Sequence, residues 1–168
     1  MPQRAHAKVA IRRATPADLA VVLELRLALL GEHAGNRLYG RLRRDARQRA
    51  ERLYAVQLAA STEVIFLAEI DGAVVGILRC LDAQSSPLLH PSHYGYIASV
   101  YVRPEARRHG ALRALLGAAE RWCEERNITE LRLHNAIDSA LANDVWEALG
   151  FEAVEVLRMR ALRPDGGR

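Results

Sequence analysis

A mixed α/β sheet with helices on both faces is the fold class the amino-acid sequence predicts, and three observations predict it. Residues 63–81 carry two β-rich runs joined by Asp71-Gly72, a pair that tolerates positive φ and marks a tight hairpin. Beyond residue 94 the apolar periodicity alternates between strand and helix. The order along the chain reads β, α, α, β, β, β, α, β, α, β, which combines an antiparallel first half with crossovers in the second. At 168 residues and 50% hydrophobic composition, one domain over 1–168 is expected, with a core of residues 9–162 and frayed ends at 1–7 and 163–168.

The elements follow in order. Residues 9–13 are a short strand. Thr15-Pro16-Ala17-Asp18 then starts a helix: Thr15 caps, Pro16 suits a first turn, and Asp18 favours the positive helix end. Leu19, Val22, Leu23, Leu27 and Leu30 keep helical spacing until Gly31 and Gly35 break it. A second helix is expected over 40–60, with Leu42, Ala46, Leu53, Val56 and Ala60 inward. Its other side is basic, Arg37, Arg41, Arg43, Arg44, Arg47, Arg49 and Arg52 standing against Asp45 and Glu51. The hairpin strands are 63–70 and 73–81, and a third run, 94–102, is stopped by Pro104. Leu112, Leu115, Leu116, Ala119, Trp122 and Cys123 make 110–126 an amphipathic helix. Residues 129–134 read as a strand and 138–149 as a helix stopped by Gly150; residues 151–162 read as a terminal strand.

Charge and composition exclude several classes. Of 24 basic residues only Lys8 is a lysine, so the net charge of +4 is carried by guanidinium groups, which suit phosphate recognition. Cys80 and Cys123 lie far apart without a CxxC or a paired histidine motif, so no disulfide framework or metal site is expected. The most apolar stretch is broken by Glu24 and Arg26, and the first residues lack the apolar core of a signal peptide. A soluble, cytoplasmic protein without a membrane partner is expected.

The segment that carries chemistry is Tyr96-Ile-Ala-Ser-Val-Tyr-Val-Arg-Pro-Glu-Ala-Arg107-Arg108-His109-Gly110-Ala111-Leu112-Arg113. A strand ends, a basic turn with one glycine follows, and a long helix begins. Unpaired N–H groups converge at such a helix start, the helix dipole is positive there, and arginines add charge-assisted bonds, so the segment suits an anion. Gly110 lets the backbone approach a phosphate with no Cβ in the way.

This segment resembles the acetyl-CoA motif of the GNAT superfamily of N-acetyltransferases, whose core pattern is Arg/Gln-x-x-Gly-x-Gly/Ala. Leu131-Arg-Leu-His followed by Ala142-Asn-Asp-Val-Trp146-Glu-Ala-Leu-Gly150-Phe151 is similar to the family's closing pattern, and Ile11-Arg-Arg-Ala-Thr-Pro-Ala-Asp-Leu to its usual opening. The resemblance implies a mostly antiparallel sheet of six to seven strands and about four helices, splayed at two central parallel strands. It implies acetyl-CoA as cosubstrate with no metal, and a homodimer as the usual assembly. Backbone groups around Val100, Tyr101 and Val102 would bond the acetyl carbonyl and pantetheine. Arg107, Arg108, His109, Gly110, Ala111, Leu112 and Arg113 would hold the pyrophosphate, and Ser139 and Trp146 would touch pantetheine. Three positions depart from the pattern: Leu112 stands where Gly or Ala is usual, Trp146 where Tyr often protonates the leaving thiolate, and Ser139 where Asn is common.

The family often has a carboxylate on the strand before the pyrophosphate turn, but Ile97-Ala98-Ser99 has none. The candidate bases that remain are Glu69, His93 and His134, acting through water, with Tyr101, Tyr94 or solvent as acid. The resemblance puts the amine acceptor against residues 30–60 and 82–94. There the arginines repel a polycation unless Glu32, Asp45, Glu51, Glu63 or Asp82 line the pocket, and an anionic or amino-acid-like acceptor or a protein N-terminus fits better. Transfer of acetyl to a primary amine is the leading expectation. The alternative is a catalytically inactive acyl-CoA-binding module acting as a sensor or partner-binding domain; nucleic-acid binding through residues 37–52 ranks last, since few aromatics are present to stack bases.

Overall fold

The computed structural model describes residues 8–162, so the ends expected to fray lie outside the described residues. The chain sorts into two compact units, divided between His134 and Asn135. The first holds strands β1 (Val9–Arg13), β2 (Glu63–Ile70), β3 (Ala73–Gln84), β4 (His93–Val102) and β5 (Leu131–Leu133) with helices α1 (Leu19–Glu32), α2 (Ala46–Ala59) and α3 (Ala111–Glu124). The sheet runs in the order β1-β2-β3-β4-β5. All pairs are antiparallel except β4 and β5, which are parallel. Alternation along the strands divides the core in two. Phe66, Leu78, Cys80 and Ile97 pack under Leu115, Ala119 and Trp122 of α3, whereas Ile65, Leu67, Ile77 and Tyr101 pack under Val22 and Leu25 of α1 and Tyr54 of α2. Helices therefore cover both faces, as the element order predicts. Each fully buried leucine among these contributes roughly 2 kcal/mol.

The entry to α1 is fixed by charge. Arg12 on β1 grips Asp18 through two bonds of 2.8 and 2.9 Å and reaches Glu69 on β2 at 2.6 Å. Asp18 also accepts from the backbone N–H of Thr15 at 2.8 Å, so the Pro16–Asp18 turn is tied at once to the sheet and to the helix start. Arg12 holds the Asp18 carboxyl well below the usual carboxylate range.

Two expectations are corrected. Residues 151–162 form no strand, which leaves five strands among the described residues rather than six or seven and puts the parallel pair at the end of the sheet rather than at its centre. Val154, Val156, Leu157 and Met159 carry strand-like spacing but are exposed, and periodicity makes a strand only where another strand supplies a ladder. Secondly, α2 is shorter than 40–60 and turns a different face inward. Ala50, Tyr54 and Gln57 are buried, whereas Leu42, Leu53 and Val56 are 52%, 51% and 69% exposed. The reason is polar. Buried Arg26 of α1 lies 3.7 Å over the Tyr54 ring and donates to the Gln57 amide oxygen, so α2 presents the face that accommodates a guanidinium.

The second unit contains α4 (Ala140–Ala148), two residues shorter than expected at its start, where Asn135 and Asn143 bond at 2.6 Å and Asn143 donates to the Ile137 carbonyl. Gly150 follows with φ +88°, a left-handed helix stop.

Where β3, β4 and α3 converge, a Cβ on Gly95 would lie 2.6 Å from Cys123 Sγ and 2.6 Å from Leu131 Cδ2. Gly95→Ala is expected to cost about 1–3 kcal/mol, read as a lowered urea midpoint at unchanged slope. For Asp18, a carboxyl held below its ordinary range stabilises the fold above that range and loses this contribution as pH falls through it. Asp18→Asn should lower stability at pH 7 and flatten the decline between about pH 5 and 2, in urea titrations across that window.

Candidate active site

The ladder between β4 and β5 is short. It joins Gly95 to Leu131, Tyr96 to Arg132 and Ile97 to Leu133, after which β4 runs on through Val102 with no β5 partner. Parallel strands that part at their carboxyl ends leave a cleft between them, the usual ligand position in such sheets. At the same point β4 is deformed. Ile77 pairs with Tyr101 and Arg79 with Ala98, so Ser99 and Val100 together oppose Leu78 alone, and Ser99 has φ +52°. This bulge takes backbone groups out of the ladder.

The basic turn comes next. Pro104–Ala106 makes one 3₁₀ turn, Arg108 (φ +65°) and Gly110 (φ +84°) are left-handed, and α3 begins at Ala111. The first bond of the helix runs from Ala114 N–H to Gly110 O, so the N–H groups of Ala111, Leu112 and Arg113 precede it and remain for an anion. Arg108 and Arg113 are exposed beside them. Leu112, where a small residue is usual, packs against the α3-side core and leaves the turn open. Arg107 is otherwise employed: its Nε–H donates to Val102 O at 2.9 Å and its Nη2 to Glu32 at the end of α1. His109 Nδ1–H donates to Arg107 O at 2.8 Å. These two side chains hold the turn's shape from within.

On the α1 and α2 face, the last residues before the cleft form a cluster. Tyr96 Oη lies 2.8 Å from His134 Nδ1, immediately after β5 ends. Burial raises the Tyr96 phenol above its ordinary pKa, and the nearby phenols of Tyr39 and Tyr94 raise it further, so this hydroxyl keeps its proton and is set to donate to the imidazole. Arg132 stacks 3.9 Å from the Tyr94 ring, and Arg79 pairs with Glu63 beneath them.

The other candidates lie elsewhere. Glu69 is bound by Arg12. His93 bonds Asp82 at 2.9 Å at the start of β4, six residues from Ser99 and so ~20 Å along the strand. Tyr101 is buried in the α1-side core, with Arg107 5.8 Å from its ring. Ser139 stands just before α4 with no side-chain capping bond, and Trp146 meets Phe151 edge-on at 5.3 Å, both in the second unit. Among the described residues no group of His, Cys, Asp and Glu side chains is arranged to hold a metal ion. Nor, among the described residues, is any helix long and apolar enough to cross a membrane. Sequence reasoning missed Tyr96, although its alternation with Tyr94 and Ala98 puts it opposite buried Ile97 and hence on the face where His134 also lies.

Gly110→Ala tests the turn. A Cβ there meets nothing within 4 Å, so the cost is purely that of left-handed backbone, about 1–2 kcal/mol. Calorimetry should register it as a lower Tm with no change in secondary structure.

Comparison with known proteins gives a consistent answer. Residues 30–151 match the model of the acetyltransferase (GNAT) family. An aminoglycoside N(6')-acetyltransferase type 1 of Stenotrophomonas maltophilia is 31% identical over 153 residues, covering 86% of this chain and 87% of that one. Among solved structures, a predicted acetyltransferase with acetyl-CoA from Clostridium acetobutylicum superposes with TM-score 0.74 at 20% identity, over 91% of this chain and 96% of that one. The aminoglycoside 6'-N-acetyltransferase AAC(6')-IG from Acinetobacter haemolyticus does so with TM-score 0.73 at 24% identity, over 93% and 99%. At these identities the structural likeness is one of fold.

Proposed function

The chain belongs to the acetyltransferase (GNAT) family, and on that premise we propose that it transfers the acetyl group of acetyl-CoA to a primary amine of a small molecule or peptide, by direct attack in a ternary complex. The observation that carries the reading is a coincidence at one end of the sheet. The parallel strands part, β4 bulges at Ser99 and Val100, and α3 opens with free N–H groups between two arginines.

These residues fit a pyrophosphate. Left-handed Arg108 and Gly110 turn the backbone so that the N–H groups of Ala111 to Arg113 face one anion, and the exposed Arg108 and Arg113 add charge. Arg107 and His109 support the same site indirectly, by bracing the turn. When bound, acetyl-CoA supplies a thioester carbonyl as the electrophile. The bulged backbone at Val100 has an N–H suited to polarising that carbonyl, a fixed donor that needs no reorganisation during attack.

An alkylammonium has a pKa of about 10 and must lose a proton before it attacks. Tyr96 and His134 are the pair we assign to this step: as the phenol takes the ammonium proton it passes its own to His134 Nδ1, and the exposed imidazole releases it to water. The amine nitrogen then forms the amide bond as the C–S bond breaks. The thiol that leaves, with an ordinary pKa of about 8.5, departs as thiolate without help from buried Tyr101. The cytoplasm is the compartment of this reading. A homodimer is its assembly, supported by the uncovered Val154, Val156 and Leu157.

Thiol release from acetyl-CoA across a panel of aminoglycosides, amino acids and polyamines tests the activity. Tight acetyl-CoA binding by calorimetry without release for any amine would instead identify a sensor module. Where turnover is found, Tyr96→Phe and His134→Gln should each lower kcat/KM by about 100-fold and remove the acidic limb of its pH profile, at unchanged acetyl-CoA affinity.

A further inference from the structure

Resting on the acetyl-transfer reading, we infer that the acceptor is a small amine bearing a carboxylate or phosphate on the same molecule, drawn in by the arginine-rich segment between α1 and α2, and that a polycationic acceptor is disfavoured.

The approach follows from the two faces of the sheet. Helix α3 and its anion-binding start occupy one face, so the amine reaches the cleft from the other, past Tyr96 and His134. The segment joining α1 to α2 borders that approach: it leaves α1 at Glu32, which Arg107 of the basic turn holds, and Tyr39 within it packs against His33 with ring centroids 5.7 Å apart. Asn36 Oδ1 fixes this segment by accepting from the N–H groups of Leu38 and Tyr39 at 2.8 and 3.1 Å. From here into α2 the chain exposes Arg37, Arg41, Arg43, Arg44, Arg47, Arg49 and Arg52 against Asp45 and Glu51, seven cations to two anions. Asp45 is itself shared between Arg43 at 3.2 Å and Arg49 at 2.7 Å.

Most of the carboxylates that would have to receive a polycation are already bound. Glu24 pairs with Arg103, Glu32 with Arg107, Glu63 with Arg79, Asp82 with His93 and Glu130 with Arg132. Engaging Glu24, Glu32, Glu63 or Glu130 exchanges one ion pair for another and strands an arginine, with little net gain. Beneath the same face Arg26 is buried with an amide and a ring as partners but no carboxylate among the described residues within ion-pair distance, and burial lowers its pKa to about 10. Each feature makes the potential at this entrance positive. An amine whose own charge is offset by an anion is attracted; one carrying several ammonium groups is repelled. This separates the chain from the substrate class in the names of its relatives, whose proteins act on aminoglycosides.

The test compares acceptors that differ only in the anion: an amino acid with its amide, phosphoethanolamine with ethanolamine, and tobramycin as the polycation. The inference expects the carboxylate or phosphate member of at least one pair to have kcat/KM about tenfold higher or more, and that advantage to shrink as salt rises from ~50 mM to ~0.3 M. The pair that responds identifies which anion is read. The exposed double variant R44E/R47E should erase the advantage and raise kcat/KM for tobramycin, with acetyl-CoA affinity unchanged. Ratios near one in both pairs, or an advantage indifferent to salt and to charge reversal, would overturn it. Efficient turnover of tobramycin alone overturns this inference and leaves acetyl transfer standing; absence of thiol release with every amine removes both.

Discussion

Three residue pairs hold β5 to β4, and the rest of the site depends on that ladder ending at Ile97 and Leu133. Had the pairing continued, the β4 backbone beyond Ala98 would be fully hydrogen-bonded and unavailable to any ligand. It ends because β4 bulges there, with Ser99 in a left-handed conformation that costs about 1 kcal/mol or more in a residue with a side chain. The cores on either side make that cost bearable: Ile97 and Val102 anchor one face of β4, and Tyr101 anchors the other. The strain sits between two buried anchors, so it cannot relax by sliding the strand.

The arginine excess resolves into three uses. Arg12, Arg79, Arg103 and Arg107 are internal clamps, each joining segments far apart in sequence. Guanidinium suits this work because its planar fork makes several bonds at once: Arg107 joins a strand-end carbonyl to the last turn of α1, and Arg12 joins β1, β2 and the α1 entry. Arg108 and Arg113 flank the helix start with side chains left in solvent. The arginines of residues 37–52 form the third group, exposed between α1 and α2 and along α2.

How far the sequence was legible follows the same physics. Strand β2, with its Asp71-Gly72 turn, and the start of α3 were readable because local chemistry alone decides them: both turn residues adopt positive φ, as does Gly110. The inward face of α2 was not, since it is set by Arg26, 31 residues from its partner Gln57, and a buried cation outweighs two exposed leucines. Residues 151–162 misled for the opposite reason, having the right period but no ladder. At the site, the anion-binding turn was legible as a motif, whereas the roles of its side chains were not. Spacing could not tell Arg107, which turns back to Val102, from Arg108, which faces solvent. Nor could it find the Tyr96 and His134 pair, which requires the parallel register of β4 against β5.

That register also explains why a family member can lack the usual strand carboxylate. A carboxylate at position 97 or 99 would project from the α3-facing side or from the bulge, and Ile97 is committed to the core, 2% exposed. Position 98, on the amine's side, is alanine, and the space it leaves is bordered by Tyr96 on its own strand and by His134 at the end of β5. In the proposed mechanism, a proton acceptor supplied from the neighbouring strand, through a phenol, would do the work of a carboxylate without adding a negative charge beside the developing oxyanion. A carboxylate there would also draw in polycations; its absence matches an entrance whose remaining charges are positive. On the proposed reading, the replacement of the base and the basic rim are one electrostatic arrangement, in which the groups nearest the reacting nitrogen would be neutral and the groups that select the acceptor cationic.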